Sequence, residues 1–470
     1  MIEADLKDID PRKYNRSYSI NDLIWCVIFM FLLKKESRHQ MNKLRKKKGF
    51  KKSFYEIFEI KLPHLDSCQD VLKKIPPQLL KSILSKIFAF FIRNKFFYSS
   101  RLHGNVVISL DATGIGSVEP FEVDIVENEI KDEYTEVSFF DDEDDPKRTK
   151  NSIKKTHSSK WSTGKTTKKG YRCFTRSLIV LRVIGPNGIS FVVDWEPINT
   201  DDGADKEDCE HNSAKRLLSR FRQNYKRLPI VLVADGLYTN QTFMDMARSD
   251  GYHFIFTLKD ESLKKIWNQI NGAFEPRGKQ EKNLITDEKG SYDDKIIVPN
   301  EKGSTDCITR KFKWINNLNH AGIQVNWAAC SESVSADADN GFNFSVLTSL
   351  NIDKNSISEI IAFSRSRNRI EDGFNSHKNR GYKIKHKYSE RSDNALMNYI
   401  TLLYVAEIIN NLVFRCDWTQ RTYFSWGSDE TEKSLIEGIY ESILGFDKNK
   451  DFNLQKSKIP KNTYYTMLFE

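Results

Sequence analysis

The spacing of hydrophobic residues changes character along the chain. Up to about residue 100, apolar residues recur every three or four positions, the period of one helix face. "LIWCVIFMFLL" at 23–33 follows Ser19 and Asn21, either of which can cap a helix, and predicts a helix through 23–45. It ends in the basic run "KLRKKKGFKK" at 43–52. A second helix is predicted over "QLLKSILSKIFAFFIRNKFF", after Pro76 and Pro77, because proline is tolerated in a first helical turn. From 105 the apolar residues come instead in short β-branched runs. "NVVISL" predicts a strand that ends at Asp111. Two strands follow, 173–184 and 189–198, separated by the turn "GPNG". Then come a helix at 205–225, the strand "LPIVLVAD" ending on Asp235, a helix at 239–249 and the strand "HFIFTLK" at 253–259.

Between 119 and 169 the core-forming periodicity lapses. The segment is acidic to 145 and basic from 147, which reads as a solvated loop rather than a metal site. From 262 to 350 the chain is first polar and then strand-like, with "CITRKFKWINNL", "IQVNWAACSES" and "FNFSVLTSL" predicting an antiparallel sheet. Helix is predicted again over 353–380, and the apolar run 393–414 predicts a helix packed against it. No internal repeat is present.

Composition narrows the picture. A chain of 470 residues, 39% hydrophobic, can bury a large core in two or three domains. The net charge of +9 points to a polyanionic partner. The seven cysteines, at 26, 68, 173, 209, 307, 330 and 416, form no C-x-x-C pair and no zinc spacing. They read as reduced thiols in a cytosolic protein. The apolar run at 23–33 has about half the length needed to span a bilayer, so a soluble, intracellular protein with no membrane partner is expected.

Candidate chemistry begins with "FSRSRNRIEDGFNSHKNRGY" at 363–382. Arg367, Glu371 and Lys378 are spaced by one and two helical turns and fall near one helix face, among Arg365, Arg369, His377 and Arg380. A surface salt-bridge ladder accounts for such a segment taken alone. Asp111 and Asp235 each read, alone, as strand-exit turn residues. The order of elements changes this. A mixed sheet with its first and fourth strands adjacent brings both aspartates to one sheet edge, and the late helix can carry Glu371 across to them. Carboxylates so grouped suit hard cations such as Mg²⁺. Two such ions, roughly 3.5–4 Å apart, can activate a water and stabilise the leaving oxygen of a phosphodiester. Arg367 and Lys378 then have a use as phosphate clamps.

"VVISLDATG", "VLVADGLYTN" and "RNRIEDGFNSHK" resemble the three acid-bearing segments of bacterial insertion-sequence DDE transposases of the cut-and-paste type. That group has a signature Tyr-x-x-Arg-x-x-x-Glu-x6-Lys, which Arg367, Glu371 and Lys378 match while Ser364 stands at the tyrosine position. The resemblance covers roughly 100 to 415. It implies an α/β fold: a ribonuclease H-like mixed sheet flanked by helices, with an N-terminal helical region and a β-rich insertion before the last catalytic helix. The implied organisation is a helical, DNA-binding region (1–100), a catalytic core (101–261 and 351–415) interrupted by the insertion (262–350), and a helical C-terminal region for dimerisation (416–470). Asp111, Asp235 and Glu371 become catalytic metal ligands for two Mg²⁺ ions, with Mn²⁺ as a substitute. Arg365, Arg367, Arg369 and Lys378 become DNA contacts. Trp314 and Trp327 lie where related transposases stack a flipped base, although two tryptophans filling a small β core fit equally well. The basic run at 43–52 suits terminal-repeat DNA or a solvated helix end.

The expected function is metal-dependent cleavage at transposon ends and strand transfer into target DNA. The expected partners are terminal inverted repeats, target DNA and a second copy of the chain, in a prokaryotic, nucleoid-associated setting. A ribonuclease H-like nuclease without strand transfer, or a domesticated DNA-binding protein, are the alternatives.

Overall fold

The computed structural model describes residues 10–12, 17–47, 49–122, 135–136, 162–166, 171–186, 188–199, 203, 206–259, 262–274, 288–299, 305–333, 342–386, 388–389, 392–415, 436–438 and 440. The first helix, α1 (Ile20–Leu32), opens with a capping box in which Ser19 and Asp22 satisfy each other's backbone N–H. The single helix predicted over 23–45 is two. Lys34 turns left-handed at φ 50°, and Ser37 caps a new helix by accepting from Gln40 N. α2 (Arg38–Arg45), α3 (Phe50–Phe58) and α4 (Leu65–Leu72) follow, and α5 (Pro77–Arg93) starts with its proline at N1.

The sheet is built from β1 (Asn105–Glu122), β2 (Tyr171–Ile184), β3 (Ser190–Pro197), β4 (Ile230–Ala234) and β5 (His253–Thr257). Four further strands, β6 (Lys289–Pro299), β7 (Thr305–His320), β8 (Ile323–Ser333) and β9 (Phe342–Thr348), come from the region expected to be an insertion. The order is β3-β2-β1-β4-β5-β9-β8-β7-β6. Only the β1–β4 and β4–β5 ladders among these are parallel. The insertion strands therefore extend the sheet, with β9 antiparallel to β5, instead of forming a separate layer. Within 119–169, β1 runs on to Glu122 and short strands occur at Thr135–Glu136 and Ser162–Thr166; most of that charged segment lies outside the described residues.

Side-chain alternation divides the strands between two cores. Val106, Ile108, Ile230 and Leu232 join one cluster, while Val107, Val231 and Val233 join the other. The first cluster holds α1, α4, α5, α6 (Lys206–Asn224), α7 (Gln241–Ser249) and the apolar α11 (Asp393–Arg415). The second is covered by α9 (Ile357–Arg365). α8 (Lys264–Phe274) precedes the insertion strands and was not predicted, because its short polar sequence lacks a clear start signal. α11 is long and apolar enough to cross a membrane, but it is mostly buried and packs on α1, α4, α5 and β3. Its apolar surface serves the core.

The helix predicted over 353–380 is broken at Ser366–Arg367 into α9 and α10 (Asn368–Asn379). Three successive tight bonds, Arg367 N to Ser364 O, Arg369 N to Ser366 O and Ile370 N to Arg367 O, replace the α-helical pattern there. The whole is a mixed, largely antiparallel α/β sheet flanked by helices with an N-terminal helical region, consistent with a ribonuclease H-like fold.

Candidate active site

The β1–β4 ladder pairs Val106 with Ile230 and continues to Ser109 with Val233. Carried two residues further, the same register sets Asp111 beside Asp235. β1 does not end at Asp111, as its sequence suggested. It continues against β2, where Asp111 lies opposite Val180, while β4 stops at Ala234. The edge of β1 at Asp111 is thereby left open by the turn of its neighbour. Asp235 makes that turn. Its carboxylate accepts from Leu237 N at 2.9 Å and caps the 3-10 turn Gly236–Tyr238. The turn role and a place at the site coexist in one residue.

α10 brings the third acid. Glu371 sits in its first turn, where the helix dipole favours a negative charge. Arg367, one turn earlier, donates to Glu371 at 2.7 Å and reaches Asp111 at 3.5 Å. Arg367 and Asp111 are about one-fifth exposed, whereas the Glu371 side chain is 55% exposed. Lys378, in the last turn of α10, lies over the Phe374 ring at 5.9 Å. Partial burial and Lys385 lower its ammonium pKa, and the Asp111 charge opposes them. Four of the sequence-predicted residues thus gather around Asp111: Asp235, Arg367, Glu371 and Lys378. Among the described residues no three His, Cys, Asp or Glu side chains are close enough to enclose one metal ion.

The environment of Asp111 is costly for a charge. Burial pushes its carboxyl up to about 6; the Ala112 N–H and Arg367 oppose this, while Asp235 and Glu210 add to it. Glu210 was missed by sequence reasoning. It is buried in α6 and accepts from the Tyr238 hydroxyl at 2.9 Å, directly behind the Asp235 turn. "DKEDCEHNSAKRLL" carries several acids, and nothing in its pattern distinguishes this one.

Other expectations fare differently. Arg365 is held in a two-point pair with Glu332 of β8, at 2.5 and 2.9 Å, and ties α9 to the extended sheet. Arg369 is half-exposed and 3.8 Å from Asp372. Both line a cleft of about 400 Å³ with Arg310, beside α10. Trp314 is 1% and Trp327 4% exposed, so neither ring offers a face to a base. Trp314 covers Gly290, its partner across the β6–β7 ladder, where a Cβ would collide with the indole. Trp327 packs against Trp267 and Phe274 and donates to Ser345 at 2.6 Å. In this structure core packing takes the place of the base-stacking expectation: the sheet is covered on both faces, and Trp314 fills the core under α9 while Trp327 fills the opposite one.

Residues 196–406 match the family described as a transposase DDE domain. That match supports a DDE-type transposase, an enzyme acting on DNA. It spans β4 with Asp235 and α10 with Glu371, and begins after β1 and Asp111. No curated protein matches the chain.

Proposed function

We propose that this protein cleaves DNA at the ends of a mobile element and joins those ends to target DNA, with Asp111, Asp235 and Glu371 as its catalytic acids. The observation that carries the reading is the meeting of three distant segments: Asp111 on β1, Asp235 in the turn that ends the parallel neighbour β4, and Arg367 bridging Asp111 to Glu371. The Arg367, Glu371 and Lys378 spacing, which resembles the signature of insertion-sequence transposases, supports the insertion-sequence type.

The donor set is fit for a hard divalent cation, being all carboxylate oxygen, and the Asp111 carboxyl is pushed up enough to gain from a neighbouring cation. The three acids do not enclose an ion in this arrangement, and a closer approach of α10 to the strands would let Asp111, Asp235 and Glu371 hold two Mg²⁺ ions, with Mn²⁺ able to substitute. When bound, such ions supply a water nucleophile and charge stabilisation at the leaving oxygen. The chain does the rest. Arg367 keeps Asp111 and Glu371 from repelling each other and is placed to take a phosphate oxygen when DNA arrives. Lys378 adds a second cation on the same helix. The exposed Lys43, Lys46, Lys47, Lys51 and Lys52 of the α2–α3 region offer a further phosphate-binding strip. Arg369 contributes to DNA contact from the rim. A homodimer cutting two ends together, in the cytoplasm at the nucleoid, completes the reading.

The test is cleavage of a duplex bearing the inverted repeats that flank the coding region, with Mg²⁺ and with Mn²⁺. Asp235→Asn should lose cleavage and keep DNA binding, because the swap preserves shape and removes a negative ligand. Full nicking by that variant removes Asp235 from the mechanism. Nicked ends without joined products would favour a nuclease over a transposase.

A further inference from the structure

Beneath Glu371 lies a buried charged cluster that the cleavage reading does not use. Arg182 of β2 stands opposite Ser109 in the β1–β2 ladder, two residues before Asp111. Its Nη2 donates to Glu407 of α11 at 2.8 Å, and its Nη1 donates to the Ser190 hydroxyl of β3 at 2.9 Å. His377 of α10 completes the group, with Nε2 2.9 Å from Glu407 and 3.3 Å from Arg182. The Arg182 and His377 side chains are 1% exposed and that of Glu407 5%.

This cluster grips α10 on both sides of the acid. The Ser190 hydroxyl that receives Arg182 also donates to the Arg369 carbonyl at 3.4 Å, two residues before Glu371. His377 is held six residues after it. Between them is Gly373, where a Cβ would stand 2.5 Å from the Arg182 guanidinium carbon, so the helix backbone lies directly on the arginine. Burial alone would raise the Glu407 carboxyl, but Arg182 and His377 reverse this and hold it at about 2. Hydrophobic residues would fill such a space at no loss of stability in many proteins. What they would not supply is direction. A forked guanidinium fixes the strand, both flanking helices and the rotation of α10 at once.

We propose that Arg182, acting through Glu407, Ser190 and His377, is a positioning residue that sets where Glu371 stands relative to Asp111. The inference rests on the reading of Glu371 as a catalytic acid.

The test compares Arg182→Met/Glu407→Leu, Arg182→Lys and Glu371→Gln with the native chain. Melting, affinity for the flanking-repeat duplex, and single-turnover cleavage at saturating DNA are measured on each. The double variant removes both charges together, so it should melt near the native temperature and bind DNA with unchanged affinity. Its cleavage rate should fall by roughly ten- to a hundredfold, the scale of loss when a reacting group is misplaced by about 1 Å. Native-rate cleavage by a folded double variant overturns the proposal and leaves the cluster a packing feature. Should the double variant fail to fold, Arg182→Lys decides, since it keeps the charge and loses the fork. Slower cleavage at unchanged affinity supports positioning, and an unchanged rate overturns it. Glu371→Gln separates the two layers of the argument. If it cleaves normally, the reading of the acid fails. If it is dead while the Arg182 variants are fully active, only the positioning role fails.

Discussion

Arg367 and Asp111, 256 residues apart in the chain, meet at 3.5 Å, and the same guanidinium holds Glu371 at 2.7 Å. One arginine therefore spans an aspartate from the first strand and a glutamate from the tenth helix. This contact separates Arg367 from Lys378, which has no carboxylate partner at ion-pair distance among the described residues.

Arg367→Ala should lower cleavage more than DNA binding, because it releases two carboxylates as well as a phosphate contact. Lys378→Ala should weaken binding and flatten its dependence on log salt by about one unit of slope, as expected for one lost phosphate contact. Titrations at several salt concentrations, paired with single-turnover cleavage, check both. Parallel binding slopes for the native chain and Lys378→Ala would return this lysine to an ordinary surface role.

Gly373→Ala sets two effects against each other. Alanine favours an exposed helix interior over glycine by about 1 kcal/mol. Here the added methyl meets a pinned guanidinium, and overpacking of that kind costs about 1–3 kcal/mol. The clash should win, with a lowered melting temperature and slower cleavage. A variant more stable than the native chain would show that Arg182 moves aside freely.

Stability at low pH should report on Glu407. Its carboxyl is depressed in the folded chain, so its contribution is fully present above the ordinary glutamate range, near 4.5. That contribution is lost as pH falls toward about 2. Glu407→Gln leaves Arg182 buried and unpaired, and should cost about 3–5 kcal/mol at pH 7. Denaturant melts at pH 7 and pH 3 should show the difference narrowing at the lower value. An equal gap at both would remove the ion pair from the account.

Trp327→Ala and Trp314→Ala should each destabilise by about 3–5 kcal/mol, as large-to-small changes in a core do. DNA affinity per folded molecule should not change. A selective loss of binding or cleavage at native stability would instead restore a role in base stacking.

How much of this was legible in the sequence differs by element. That the first and fourth strands, "NVVISL" and "LPIVLVAD", lie side by side was expected from the order of elements, whereas their parallel direction is shown by the structure. Glu371 was marked by its cationic neighbours at helical spacing. The two misread helices share one cause. Apolar periodicity passed through Lys34 and through Ser366–Arg367 without interruption, while local backbone bonds at each point changed the path of the chain. The tryptophans were ambiguous because a ring that stacks on a base and a ring that fills a core look alike in one dimension.

The sequence by itself determined which residues carry charge, where strands and helices alternate, and that three acids follow the core elements in a fixed order. Those properties depend on neighbours a few positions away, and periodicity records them directly. Only the tertiary structure decided that Arg367 bridges Asp111 and Glu371, that Glu210 backs the Asp235 turn, and that Arg182, Ser190 and Glu407 hold α10 from three other elements, through His377 and the Arg369 carbonyl. Each of these contacts joins residues far apart in the chain. Whether a charge meets a partner or water is settled by burial, which exists only after the sheet and its helices have closed around it.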